Sequence, residues 1–263
     1  LGSAATVAAQ DSPVIRVDVR LVRLLVTVKN DAGDPIGTLT REQFRVKDSG
    51  VEQEIAVFER STRQPLSVAL LLDTSLSTAK ELKSEIDSVN RFLKALFSEG
   101  NPEDRASLWS FSDEVRHSGG FTRNARKIAD QMRDLKPESG TSAYDAVWFA
   151  SGELERRDGR KVIILVTDGS DTTSAKTFRE ALESAHRADA VIYPILVLPI
   201  TSDTGRSIGG ENALQLFASG TGGRVFSPRV GKELDQTFTT ILSDLRTQYL
   251  LGYYPRNLPY SKE

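Results

Sequence analysis

The sequence predicts an α/β fold: a doubly wound, mostly parallel, Rossmann-like sheet, joined by a small all-β unit built from the two ends of the chain. Three observations carry this expectation. Segments 68–72, 161–167 and 191–198 are apolar without alternation, as strands buried on both faces of a parallel sheet must be. Stretches with apolar residues at helical spacing separate them, and strands alternating with helices imply parallel pairing. Segments 14–28 and 247–254 are instead rich in β-formers, with period-two alternation clearest over 14–22.

In chain order, 14–22 and 24–28 read as strand, and Asn30-Asp31-Ala32-Gly33-Asp34-Pro35 is a dense turn cluster. Short strands follow at 44–47 and 54–59, separated by Asp48-Ser49-Gly50. Pro65 opens the α/β pattern. A helix over 79–97 carries Leu82, Ile86, Val89, Phe92, Leu93 and Leu96 on one stripe, and the charges of Glu81, Lys83 and Glu85 read as its solvated face. A strand pair is expected at 105–111 and 114–121, then a helix from Asn124 that ends before Pro137. Helices are expected at 143–154, 176–187, 211–218 and 232–246, with a turn at Asp158-Gly159 and a short last strand at 224–226. Segment 247–254 then returns to the N-terminal β unit. The division is a tail or linker over 1–13, the β unit over 14–62, the α/β domain over 63–246, and a closing strand and tail over 247–263.

Composition narrows the function. Among 263 residues the net charge is −2 and no basic cluster stands out, which argues against a nucleic-acid partner. No apolar run is long enough to span a bilayer. The absence of cysteine excludes disulfides, thiol catalysis and cysteine-ligated metals. Residues 1–10 are small, Ala-rich and apolar-leaning, like the tail of a secretory signal or a linker, so export to the periplasm, cell surface or medium is expected.

The chemistry lies where the first apolar strand stops, in Asp73-Thr74-Ser75-Leu76-Ser77. Open α/β sheets place ligand sites past the carboxyl ends of their strands. Oxygen donors at every second position suit a hard cation such as Mg²⁺. A second buried strand also ends in an acid, Asp168. If the two strands are parallel neighbours, their carboxylates converge, and such a pair repels unless a cation lies between them.

This stretch resembles the Asp-x-Ser-x-Ser motif of the von Willebrand factor A domain family. Ser139-Gly140-Thr141-Ser142 resembles that family's threonine loop, and Val166-Thr167-Asp168-Gly169 its aspartate loop. The resemblance covers about 65–246. The all-β start resembles the segment preceding the A domain in related bacterial proteins, with Thr40-Arg41-Glu42-Gln43-Phe44 as a short link between strands. The resemblance implies a von Willebrand factor A type sheet with a metal-ion-dependent adhesion site. Ser75 and Ser77 would bind the ion directly, Thr141 directly or through water, and Asp73 and Asp168 mainly through water. The ion would be Mg²⁺, with Mn²⁺ and Ca²⁺ as alternatives, and its open position would take an Asp or Glu carboxylate of a protein partner. The implied function is a non-enzymatic binding module.

Two other functions compete. In one, Asp73 is the nucleophile of an aspartyl-phosphate phosphatase, with Lys161 or Lys176 as charge partner; Ser75 stands where such enzymes carry a second Asp. In the other, the site binds a neighbouring copy in a self-assembling subunit. Without an ion, Ser75 and Ser77 reduce to caps of the following helix. His117 and His186 have no ligand partner in view, Asp113 and Asp171 read as solvated loop residues, and Trp109 and Trp148 as core. Tyr249, Tyr253 and Tyr254 fit cross-strand packing better than a binding surface. Loop 199–210 emerges on the face of Asp73; there Arg206 is expected to shape what approaches the ion, with Gly205, Gly209 and Gly210 supplying flexibility.

Overall fold

The computed structural model describes residues 21–32, 35–60, 64–197 and 207–256. The expectations for the tail 1–13, the strand start at 14–20, and Gly205 and Arg206 fall outside those residues.

A five-stranded sheet organises the chain, in the order β7-β6-β5-β8-β9. Its strands are β5 (Leu66–Asp73), β6 (Arg105–Phe111), β7 (Val115–His117), β8 (Arg160–Thr167) and β9 (Ala190–Leu196). All neighbours are parallel except β7, which runs antiparallel along the edge. β7 covers only three residues of the expected 114–121. The expected strand at 224–226 reduces to a single bridge, Phe226 to Ile195.

Both faces of the central strands are buried, which explains their unbroken apolar sequences. Val68, Leu70 and Leu72 of β5 point into one core, and Ala69 and Leu71 into the other. The first core is closed by α1 (Leu82–Glu99), α2 (Ala125–Arg133) and α6 (Lys232–Thr247). The second is closed by α3 (Ala143–Glu155), α4 (Phe178–Ala188) and α5 (Ile208–Thr221). Asn124 caps α2 by accepting from Lys127 N at 3.1 Å. Gly159, at φ +78°, makes the turn into β8; a Cβ there would lie 2.4 Å from the Pro65 carbonyl oxygen.

The remaining strands are β1 (Val22–Val26), β2 (Val46–Asp48), β3 (Val51–Gln53), β4 (Ile55–Arg60) and β10 (Tyr249–Tyr253). β10 lies between β1 and β4, antiparallel to both, so the last described strand pairs with segments some two hundred residues earlier. β2 and β3 form a separate hairpin around Ser49-Gly50, so β3 is an additional strand between the two expected at 44–47 and 54–59. The link at 40–44 holds a 3₁₀ turn, Arg41–Gln43, stapled by Thr40 N donating to Gln43 Oε1 at 2.8 Å. Tyr249 is fully buried beside Phe44 and Phe58, and its hydroxyl donates to Ile36 O at 2.7 Å and accepts from Leu39 N at 2.9 Å. Tyr253 is buried as well, while Tyr254 is exposed.

Candidate metal site at the carboxyl edge of the sheet

β5 and β8 are adjacent and parallel, with Leu72 opposite Val166, so their terminal residues meet at one edge. Asp73 is buried there. Its Oδ1 accepts from Ser75 N at 2.8 Å, and its Oδ2 accepts from the Thr167 hydroxyl at 2.6 Å. The Thr167 hydroxyl in turn accepts from Gly169 N at 3.1 Å, which fixes the turn into the second acidic loop. Asp168 is also buried and turns one oxygen onto Ser170 N at 2.9 Å.

Above Asp73 the chain makes a 3₁₀ turn, Leu76–Thr78, before α1 begins three residues later than the sequence predicted. Thr78 holds the turn closed by donating to the Asp73 and Ser75 carbonyls, both at 3.0 Å. The hydroxyls of Ser75 and Ser77 lie 2.9 Å apart, Ser75 buried and Ser77 exposed. Neither serine side chain caps a helix end: Ser75 sits at the N-cap of the 3₁₀ turn without a side-chain cap bond.

The Thr141 loop is tied on both sides. Glu138 N donates to Thr74 O at 2.8 Å, and residues 75 and 138 form a parallel bridge. On the other side Thr141 N donates to the hydroxyls of Thr172 and Thr173, at 3.0 and 3.1 Å. Asp171 is half-buried, against the solvated role read from the sequence; it accepts from Tyr144 N at 3.1 Å and from the Ser174 hydroxyl at 2.6 Å. Asp145 accepts from the backbone N–H groups of residues 175 and 176. The loops bearing Asp73, Thr141 and Asp168 are thus one laced structure.

The expected solvated face of α1 is overturned. Glu81 and Glu85 are both buried, while Lys83 is exposed. Position 85 lies four residues before Val89 and seven before Phe92, so it shares their inward face. Burial, then the charges of Asp73, Glu81 and Asp168, push the Glu85 carboxyl up to about 8. Burial pushes Asp73 up to about 6 despite its hydrogen bonds to Ser75 and Thr167. No described Lys or Arg forms an ion pair with Asp73, Glu85 or Asp168.

Hydroxyls and buried carboxylates on neighbouring loops, with no ion pair to a described Lys or Arg, make a donor set that fits a small hard dication. Among the described residues no group of three or more His, Cys, Asp or Glu holds an ion by itself, so any such site depends on the hydroxyls. His117 stacks on Trp109 at 3.9 Å, and His186 contacts Gly220 O at 2.9 Å. The lysines of the phosphatase alternative lie elsewhere. Lys161 sits at the amino end of β8, about 20 Å of strand from Thr167, and contacts Glu155 O at 3.4 Å. Lys176 lies over the Trp148 ring and pairs with Glu180.

Gly209 and Gly210 belong to α5 and supply no loop flexibility. Gly210 permits contact: a Cβ there would fall 1.6 Å from Gly169 O, so the start of α5 packs directly on the Asp168 loop. Thr167, Glu85 and Gly210 were missed as site residues. The legible signal for Thr167 was a polar residue in the last position of a buried strand.

Comparison with known proteins agrees with this architecture. Residues 68–170 match the model of the von Willebrand factor type A domain, a span that includes all five candidate ligands. An uncharacterized protein of Bacillus subtilis (strain 168), YwmC, is 24% identical over 201 residues, covering 69% of this chain and 85% of YwmC. The vWF domain of the type V pili tip protein Mfa5 from Porphyromonas gingivalis superposes with a TM-score of 0.56 at 17% identity, covering 68% of this chain and 95% of that one. The pilus adhesin SpaC from Lactobacillus rhamnosus GG, in its open conformation, gives 0.58 at 13% identity, covering 89% of this chain and 33% of SpaC. The α/β part of this chain therefore has the von Willebrand factor type A fold.

Proposed function

We propose that this protein is a divalent-metal-dependent, non-enzymatic protein-binding module of the adhesion type. The observation that carries the reading is the donor arrangement at the sheet edge: the buried Ser75 and exposed Ser77 hydroxyls lie 2.9 Å apart, and Asp73 is buried with both oxygens already hydrogen-bonded inside the protein. Ser75, Ser77 and Thr141 would hold Mg²⁺, Mn²⁺ or Ca²⁺, with Asp73 and Asp168 acting through water. A bound ion supplies a Lewis-acidic position for an outside carboxylate, since hydroxyl ligands neutralise little of its charge. Asp73 orients the Ser75 backbone, and Thr167 orients Asp73. Two large apolar side chains stand exposed nearby, Leu76 (63%) between the two serines and Ile208 (75%) on the helix packed against the Asp168 loop. Such residues offer contact area to a protein ligand whose Asp or Glu reaches the ion.

A place outside the cytoplasm fits this reading, and pilus proteins share the fold. No helix among the described residues is long and apolar enough to cross a membrane.

Calorimetric titration of Mg²⁺, alone and with an acidic peptide, into wild type, Asp73→Asn and Thr141→Ala tests the proposal. Wild type is expected to bind Mg²⁺, more tightly with peptide, and both variants to lose the response. Equal binding by all three proteins overturns it. Turnover of a generic phosphoester that depends on Asp73 would favour the phosphatase instead. A chelator-sensitive change in size on gel filtration would identify a second copy as the partner.

A further inference from the structure

We propose that Glu85 is a sixth residue of this site, a buried outer acceptor that holds water bound to the divalent ion; the inference rests on the metal-dependent reading above. Glu85 is 1% exposed, and neither Oε1 nor Oε2 has a hydrogen-bond partner in the protein. Buried carboxyl oxygens are almost always paired, because burial without a partner forfeits the hydration they had in water.

The placement of Glu85 gives that cost a purpose. It lies in the first turn of α1, the helix that begins five residues after Ser77. The groups that act on its charge are Asp73 from the end of β5, Asp168 from the loop after β8, and Glu81 from its own helix; all are acids. A residue that served packing alone would be apolar here, like Val89 and Phe92 on the same face. A dication among these acids reverses every unfavourable interaction at once. Direct coordination by the carboxylates as a group does not fit, since no three of them are placed around one point. Mg²⁺ keeps several of its waters, and a carboxylate behind such a water orients it and strengthens ion binding. Glu85 is therefore a positioning residue.

The test is the isosteric Glu85→Gln variant, beside wild type and Asp73→Asn, with Mg²⁺ titrated calorimetrically and thermal unfolding followed in chelator and in Mg²⁺. Glu85→Gln is expected to weaken Mg²⁺ binding at least about tenfold and to raise Tm in chelator. A residue with a purely structural role would lower Tm in both media and leave Mg²⁺ affinity alone. Mg²⁺ affinity within twofold of wild type, or a Glu85→Gln protein that is less stable in chelator or fails to fold, overturns the role of Glu85 while leaving the site itself standing. Failure of wild type to bind Mg²⁺ overturns both.

Discussion

The two ends of the same sheet bury charge in opposite ways. At the amino end, Arg160 opens β8 with 6% exposure and donates to Leu245 O and Gln248 Oε1, while its Nε has no partner among the described residues. Gln248 passes the network on to the Tyr193 hydroxyl at 3.1 Å. Close by, the buried Asp244 pairs with Lys29 at 3.0 Å and Arg224 at 3.3 Å, joining α6 to the β unit and to the chain beside β9. At the carboxyl end, Asp73, Asp168 and Glu85 act on one another without an ion pair to any described Lys or Arg. Charges that the protein holds largely with its own groups fasten one part of the fold to another. Charges that it leaves uncompensated create a demand for something from outside.

The largest effect should come from breaking the amino end. Arg160→Leu leaves Leu245 O and Gln248 Oε1 without their donor, and about 3 kcal/mol or more of stability should be lost in urea unfolding. Mg²⁺ affinity should stay unchanged; loss of both would mean that the two ends are coupled. Gly210→Ala should cost about 1–3 kcal/mol by overpacking, and should also weaken Mg²⁺ binding, because the start of α5 must move off the Asp168 loop. Asp73→Asn keeps the hydrogen-bonding shape and should leave stability in chelator equal or higher. Asp73→Ala should lower it by about 1–3 kcal/mol, since the buried Ser75 N–H and Thr167 hydroxyl lose their partner.

The pH dependence sharpens the comparison. The folded-state pKa of Glu85 is raised from an ordinary 4.5 to about 8, so between these values the folded state holds the proton more strongly than the unfolded chain. Stability without metal should therefore fall as pH rises from about 4.5 to about 8 and then level. Glu85→Gln should flatten that slope above about pH 6; below it Asp73, raised to about 6, keeps part of the slope. Arg160, lowered by burial to about 10, stays charged through this window and adds no slope. Denaturation at a series of pH values in chelator measures both. The smallest effect is expected of Tyr249→Phe, about 1 kcal/mol, for the hydrogen bonds to Ile36 and Leu39 in the β unit.

Local pattern determined much of this protein from sequence alone. Unbroken apolar runs gave three of the buried parallel strands, because burial on both faces removes alternation. The turn residues after β5 and β8 placed Asp73 and Asp168 at one edge once those strands were taken as parallel neighbours. The period-two character of 247–254 sent the last strand back to the β unit, where β10 indeed lies between β1 and β4. Tertiary structure decided what local pattern cannot encode. Glu85 read as solvent-facing because charge usually is; its spacing to Val89 was legible, but not that Asp73 and Asp168 would act on it from other elements. Gly210 resembled a loop glycine until α5 was seen lying against Gly169. Thr167 and Glu138 became part of the site only through partners 94 and 64 residues away along the chain, Asp73 and Thr74. A residue's own type and its near neighbours fix which element it joins. Which charges meet, and whether anything answers them, depends on the packing of elements distant in sequence.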